Sequence, residues 1–221
     1  MDANKRDFKN AIYGQLAKIT KALANPHRME VIDLLAQGAF SVEEIAQNTD
    51  MSVANASQHL QVLKAAGLVD IKKEGNFIFY SLSDEKVFDA WRNLRDLGVK
   101  HNGEVLATID EFRKNHHAME PVTMDELFQK ISNGGVLLLD VRSTKEFMRG
   151  HIDQALSIPF DELSLRMGEL SKEMEIIAYC RGPFCVYADQ AVELLLKEGF
   201  RANRMAEGYP DWKSENLPVS V

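Results

Sequence analysis

Ile176-Ile177-Ala178-Tyr179-Cys180-Arg181-Gly182-Pro183-Phe184-Cys185-Val186 reads as a buried strand that turns through a short loop into a helix running from Val186 to Leu196. The only two cysteines of the chain, Cys180 and Cys185, stand at the two ends of that loop. On a strand-to-helix turn, backbone N–H groups and the helix dipole favour an anion, so a thiol there ionises more readily than a free one. The loop is therefore the first place to look for chemistry.

Working outward from the loop, strand-like and helix-like runs alternate. Asp125 to Ile131 is helical, Val136 to Val141 a buried strand, and Ser143 to Arg149 helical. Ala155 to Ile158 is a strand, Leu163 to Leu170 helical, and Ala202 to Met205 a last strand. This alternation predicts an α/β domain with a mostly parallel sheet. Upstream, Lys114-Asn115-His116-His117-Ala118-Met119-Glu120-Pro121 is polar, lacks an apolar period and ends in proline, so it reads as a linker. The expected division is residues 1–118 and residues 119–221.

Residues 1–118 read mainly as helix. Phe8, Ile12, Leu16, Ile19 and Leu23 recur at helical spacing, and Val31, Ile32, Leu34 and Leu35 form a second run opened by Asn25-Pro26. Ser41-Val42-Glu43-Glu44 is a capping box that starts a third helix. Asp50-Met51-Ser52 breaks it, and Ser52 to Ala66 forms a fourth, ended by Gly67. Two β-like runs follow, Leu68 to Lys72 and Asn76 to Leu82, joined by Lys73-Glu74-Gly75. A long amphipathic run, Asp84 to Arg113, is expected to bend at Gly98 or Gly103.

Of 221 residues, 45% are hydrophobic, too many for a disordered chain. No apolar stretch reaches the roughly 20 residues that span a bilayer, and the first residues lead into a charged amphipathic segment, so no membrane partner is expected and a cytoplasmic location is. Two close cysteines in such a setting suggest redox or nucleophilic use more than a structural staple. The net charge of −7 argues against a broadly basic nucleic-acid coat. The charge is uneven: residues 1–118 hold 15 basic and 16 acidic side chains, and residues 119–221 hold 11 and 17. Any DNA contact must come from a local face of the first part.

Helix, short break, second helix and β-hairpin together make a winged helix-turn-helix pattern. The second helix offers Ser52, Asn55, Ser57, Gln58 and His59 near its start. Short polar side chains there suit phosphate positioning and base edges, with Asn55 and Gln58 matched to adenine. Lys72 and Lys73 are placed at the hairpin tip, beside flanking phosphates. Ala22-Leu23-Ala24-Asn25-Pro26-His27-Arg28 and Ser52-Val53-Ala54-Asn55-Ala56-Ser57-Gln58-His59-Leu60-Gln61-Val62-Leu63-Lys64-Ala65-Ala66-Gly67-Leu68-Val69 resemble the ArsR-type family of small bacterial repressors. The resemblance implies a homodimer held by the first and last helices, a double-stranded DNA operator, and release of DNA on inducer binding. Many members sense metals through cysteines of this part, and here it has none. His101, His116 and His117 with Asp110 and Glu111 offer metal-ligating types near the end of the last helix, but histidines near a helix end are more often solvated or partners of the helix dipole, so no metal is expected.

In the second part, Asp140-Val141-Arg142, Glu146-Phe147, Gly150-His151-Ile152, the loop after Tyr179 and Glu207-Gly208-Tyr209-Pro210-Asp211-Trp212 resemble the rhodanese (sulfurtransferase) domain. The resemblance implies that Cys180 is the nucleophile, taking sulfane sulfur from thiosulfate, polysulfide or a persulfide and holding it as a covalent persulfide, with no separate cofactor. Amides of Arg181, Gly182, Phe184, Cys185 and Val186 are expected to cradle it, Gly182 to permit the curl, Pro183 to stiffen the loop and Arg181 to attract an anionic donor. Asp140, Arg142 and His151 are expected to support the site. Where many rhodaneses carry an arginine, five positions after the nucleophile, this chain has Cys185. That substitution opens a second use: Cys185 as a resolving thiol that closes a disulfide or polysulfide bridge.

The expectation is a DNA-binding repressor with a rhodanese domain that carries or senses sulfane sulfur on Cys180. The alternative is primarily a thiosulfate or persulfide sulfurtransferase, its DNA-binding part serving localisation or dimerisation. Arsenate or oxyanion reduction ranks third, because the related loops of such enzymes are usually one residue longer and close with arginine, where this chain has Val186.

Overall fold

The computed structural model describes residues 3–75, 77–114 and 120–221. Most of the expected linker, with His116 and His117, lies outside the described residues, as does Asn76. Its contacts group into two compact units, Met1–Trp91 and Arg92–Val221.

The first unit holds α1 (Ala3–Leu23), α2 (Pro26–Leu35), β1 (Phe40–Ser41), α3 (Val42–Asn48), α4 (Val53–Ala65), β2 (Val69–Glu74), β3 (Phe77–Leu82) and the start of α5 (Glu85–His101). Local sequence explains the helix starts. Asn25 accepts from the Arg28 amide ahead of Pro26, Ser41 and Glu44 cap α3 reciprocally, and Ser52 accepts from the Asn55 amide to open α4. The apolar rows Val31, Ile32, Ile45, Ala56, Leu60 and Leu63 are fully buried and hold α2, α3 and α4 together. Trp91 closes this core and donates its indole N–H to Asp33 at 2.9 Å. β3 lies between β1 and β2, antiparallel to both.

The hairpin differs from expectation in one respect. Lys72 and Lys73 lie within β2, opposite Phe79 and Ile78, rather than at the tip. The strand continues through Glu74, which stands opposite Phe77 of β3, and Lys72 meets Glu74 at 2.8 Å along the strand. Nor does Gly98 bend the long helix: it lies inside α5. The break comes at Asn102, whose Oδ1 accepts the Glu104 amide at 3.0 Å and starts α6 (Gly103–Lys114).

The second unit continues with α7 (Met124–Ser132), β4 (Val136–Asp140), α8 (Thr144–Arg149), β5 (His151–Ile152), β6 (Leu156–Ser157), α9 (Phe160–Arg166), a single 3-10 turn, β7 (Glu175–Tyr179), α10 (Val186–Lys197), β8 (Arg201–Arg204), α11 (Tyr209–Ser214) and β9 (Val219–Ser220). β6, β4, β7 and β8 form a wholly parallel sheet in that order. β5 and β9 add a small antiparallel pair. Along β7 the side chains alternate between two buried layers. Ile176 and Ala178 pack with Leu139, Leu163, Ala191 and Leu195, whereas Ile177 and Tyr179 pack with Leu127, Leu138 and Trp212. Cys180 continues the first of these layers at the carboxyl end of the central strands, where open α/β sheets place their sites.

Candidate functional site

Cys180 follows the end of β7 and is 2% exposed. Cys185 is the residue before α10 and is half-buried. Their Cα atoms are 6.3 Å apart and their sulfurs are joined as a disulfide. The Cys185 amide is spent on the Gly182 carbonyl at 3.1 Å, so that donor belongs to the turn rather than to an anion cradle.

The glycine that the loop requires is not the expected one. A Cβ on Gly182 would meet nothing within 4 Å, and its φ is not left-handed. A Cβ on Gly208 would lie 2.4 Å from the Arg181 carbonyl carbon and from the Gly182 nitrogen. Gly208 is thus the floor on which the loop backbone rests. The next residue, Tyr209, donates its amide to the Cys180 carbonyl at 3.1 Å. The motif Glu207-Gly208-Tyr209-Pro210-Asp211-Trp212 therefore supports the loop from behind, through α11.

Arg181 does not face outward to an anionic donor. Its Nε donates to Glu146 Oε1 at 2.7 Å and its Nη2 to Oε2 at 3.0 Å. Glu146 is 1% exposed and also accepts from the Ser143 hydroxyl at 2.7 Å. Burial pushes its carboxyl up, but the hydrogen bonds and charge of Arg181, with Ser143 and Arg142, hold it below the usual carboxylate range. The guanidinium turns inward because this carboxylate, desolvated at the start of α8, needs a counter-charge.

Asp140 and Arg142 form a completely buried ion pair at 2.6 Å, and Arg142 also donates to the Gly150 carbonyl at 2.8 Å. The Arg142 guanidinium lies 4.3 Å from the Tyr209 ring centre, which ties the end of β4 to α11. Tyr179 accepts from the Ile152 amide at 3.1 Å, and burial pushes its phenol well above the ordinary tyrosine value. His151 stacks on Phe147 at 3.6 Å, and its Nδ1 lies 3.0 Å from the Phe147 carbonyl oxygen.

Three arginines missed from the sequence reach this neighbourhood from α5 and α6. Arg95 pairs with Asp211 at 2.7 Å, both side chains buried, and Arg92 pairs with Glu215. Asp211 also accepts the Gly208 amide at 3.2 Å. Arg113 donates to the Pro183 carbonyl of the loop at 2.6 Å. Its Nε lies 3.9 Å from Asp189, which Arg204 holds at 2.8 Å. An arginine on an amphipathic helix reads as solvated, so nothing in the local pattern reveals these partners.

In the first unit, Gln58, Lys72 and Lys73 are exposed, and Asn55, Ser57 and His59 are half-buried on α4. Ser52 is exposed while its hydroxyl caps the helix. The His59 ring lies 5.4 Å from that of His27, and its pKa is lowered by partial burial and by the neighbouring charges of Arg28 and His27.

Comparison with known proteins places matches on both units. A rhodanese-like domain model matches residues 123–215, and a helix-turn-helix domain model matches residues 23–71. The HTH-type transcriptional regulator Rv0324 of Mycobacterium tuberculosis is 38% identical over 218 residues, covering 98% of this chain and 95% of that protein. A sulfurtransferase of Allochromatium vinosum is 30% identical over 100 residues, 44% of this chain and 92% of that protein. The homodimeric winged helix-turn-helix domain of a possible ArsR-family regulator from Mycobacterium bovis is 38% identical, covering 43% of this chain and 89% of that one, with a TM-score of 0.42.

Proposed function

This chain belongs to the HTH-type transcriptional regulators that join an ArsR-type winged helix-turn-helix to a rhodanese-like domain, and from that premise we propose that it is a repressor whose operator affinity follows the sulfur state of Cys180 and Cys185. The single observation that carries this reading is the disulfide across the Cys180–Cys185 loop, in a chain that also carries a helix-turn-helix. In this reading, the Cys180 thiolate attacks the terminal sulfane sulfur of a polysulfide or persulfide, the donor's S–S bond breaks, the shortened polysulfide or thiolate leaves, and Cys180 becomes Cys180–S–SH. The Cys185 thiolate then attacks the Cys180 sulfur, the disulfide forms, and the terminal sulfur leaves as hydrosulfide. Two thiols are oxidised and one sulfane sulfur is reduced, so no further oxidant is required.

The DNA-reading part extends to residue 118 in this proposal, with Ser52, Asn55, Ser57, Gln58 and His59 toward the groove and Lys72 and Lys73 toward phosphates. A homodimer is part of it: Phe8, Ile12, Leu16 and Ile19 form one row on α1 and are 40% to 66% exposed, an apolar surface suited to a second copy. A switch of this kind requires a coupling of about 1–3 kcal/mol.

The test is a DNA mobility shift with and without polysulfide, on the native chain, Cys180→Ser and Cys185→Ser. Polysulfide is expected to weaken binding by the native chain and to leave Cys180→Ser unaffected. An equal response in all three overturns the reading. A second reading, a sulfurtransferase, is favoured by the match to the Allochromatium protein. Fast cyanide-dependent sulfur release with no effect of polysulfide on DNA binding selects it. The inward pairing of Arg181 with Glu146 favours sensing over thiosulfate turnover, because the donor-attracting cation is engaged.

A further inference from the structure

In the first unit, His59 is the ionisable member of the α4 residues proposed to face the groove, and a second histidine stands beside it. The His27 ring, from α2, is 5.4 Å away and tilted by 41°. The packing of α2 against α4 brings the two together. His27 is exposed and His59 half-buried. Among the described residues, neither ring hydrogen-bonds to another protein group. Two imidazoles at the surface thus keep their ring nitrogens for a ligand.

The fixed charges around the pair come from α2. Arg28 is held in place by donating to the carbonyls of Ala22 and Lys21 at the end of α1. Glu30, one turn on from His27, feels its charge. The α4 side chains one turn either side of His59, Asn55 and Leu63, are uncharged. The charges that bear on His59 are those of Arg28 and His27, and among the described residues none comes from α1, α3 or the hairpin. Partial burial, then Arg28 and His27, hold the His59 ring below the ordinary histidine range, so it is uncharged at neutral pH. Glu30 offsets Arg28, which leaves no anion to support a charged second ring.

We propose that His27 and His59 together hold one backbone phosphate of the DNA, and that the pair takes up a proton from solvent as that phosphate arrives. This rests on the reading of α4 as the helix that faces the groove, and it adds His27, a residue of α2, to the DNA-reading face. Rings this close can each donate an N–H to the same phosphate group. The phosphate supplies the missing negative charge, so the imidazolium disfavoured in the free chain becomes the favoured form. The pKa in the complex then lies above that of the free chain. The extra affinity is complete below the free value and is lost as pH rises through the value in the complex. A pair that merely packs α2 on α4 takes up no proton.

The experiment uses the full chain and a DNA fragment selected by the chain itself. Calorimetric titrations at about pH 7, in two buffers of different ionisation enthalpy, count the protons taken up on binding. The native chain is expected to take up as much as about one proton per chain. Anisotropy titrations from about pH 6 to pH 8.5 at constant ionic strength are expected to show affinity rising as pH falls, by up to about tenfold per unit. His27→Gln and His59→Gln each keep a donor but lose the titrating ring. Both are expected to flatten the profile and to lower the proton count, while binding at the alkaline end persists. No proton uptake by the native chain, or the same profile in the native chain and both variants, overturns the proposal. The proton count needs no variant, so a variant that fails to fold leaves the test standing. A chain that binds no DNA overturns the repressor reading and this proposal together. DNA binding without proton uptake overturns this proposal alone.

Discussion

Gly208 rests against the backbone of Arg181: a single added Cβ would lie 2.5 Å from the Arg181 carbonyl oxygen. This close approach sets the height of the cysteine loop above α11. Gly208→Ala is expected to cost about 1–3 kcal/mol, because backbone rather than a flexible side chain must move. Gly182→Ala, whose Cβ meets open space, is expected to change stability by under about 0.5 kcal/mol. Urea unfolding of both variants measures the difference, and the reverse order would show that the loop does not rest on Gly208.

Acid should weaken the second unit through Glu146. Its carboxyl is held below the ordinary value by Arg181 and Ser143 in spite of burial. The stabilisation is therefore present above the unfolded carboxylate pKa, about 4.3, and is lost as pH falls through the lower folded value. Urea midpoints between about pH 3 and pH 7 are expected to fall at the acid end for the native chain. Glu146→Gln should start less stable at neutral pH and show a flatter acid limb.

Arg95 and Asp211 bury an ion pair, so removing one partner leaves the other charge stranded. Arg95→Leu is expected to cost about 3–5 kcal/mol. The double variant Arg95→Leu with Asp211→Leu should recover part of that loss but not all, because Asp211 also accepts the Gly208 amide. A double-mutant cycle in denaturant reads the coupling, and strict additivity would contradict the pairing.

On a DNA fragment selected by the chain itself, Gln58→Ala is expected to weaken specific binding by about 1–3 kcal/mol. Lys73→Ala should weaken all sequences alike and reduce the slope of log K against log salt by about 0.9. Lys72 is the poorer choice, since Glu74 pairs with it along the strand. Filter binding across a salt series separates the two classes of contact.

Much of this architecture was legible in the chain because its signals are local. The capping box at Ser41 and the proline after Asn25 mark helix starts with short-range hydrogen bonds. The apolar run Ile176 to Tyr179 and the two cysteines located the loop. What could not be read was long-range. Arg95, Arg113 and Glu146 carry ordinary charges whose partners lie 116, 70 and 35 positions away. The short pair β5–β9 and the helix α11 lack a periodic apolar signature because each is only two to six residues long. The role of Gly208 was invisible for the same reason, since only the fold brings it under Arg181.

The pairing of Arg95 with Asp211 has a consequence for how this protein can be taken apart. A fragment cut at the polar stretch before Pro121 would retain the entire rhodanese-like match and both cysteines, yet it would lose Arg92, Arg95 and Arg113 together. Asp211 would be left buried without its counter-ion, and the Pro183 carbonyl would lose its donor. A fragment beginning near Arg92 keeps all three. Sequence modules and foldable pieces thus have different borders here, and recombining such regulators by swapping rhodanese-like modules just before Pro121 would separate the cysteine loop from part of the scaffold that holds it.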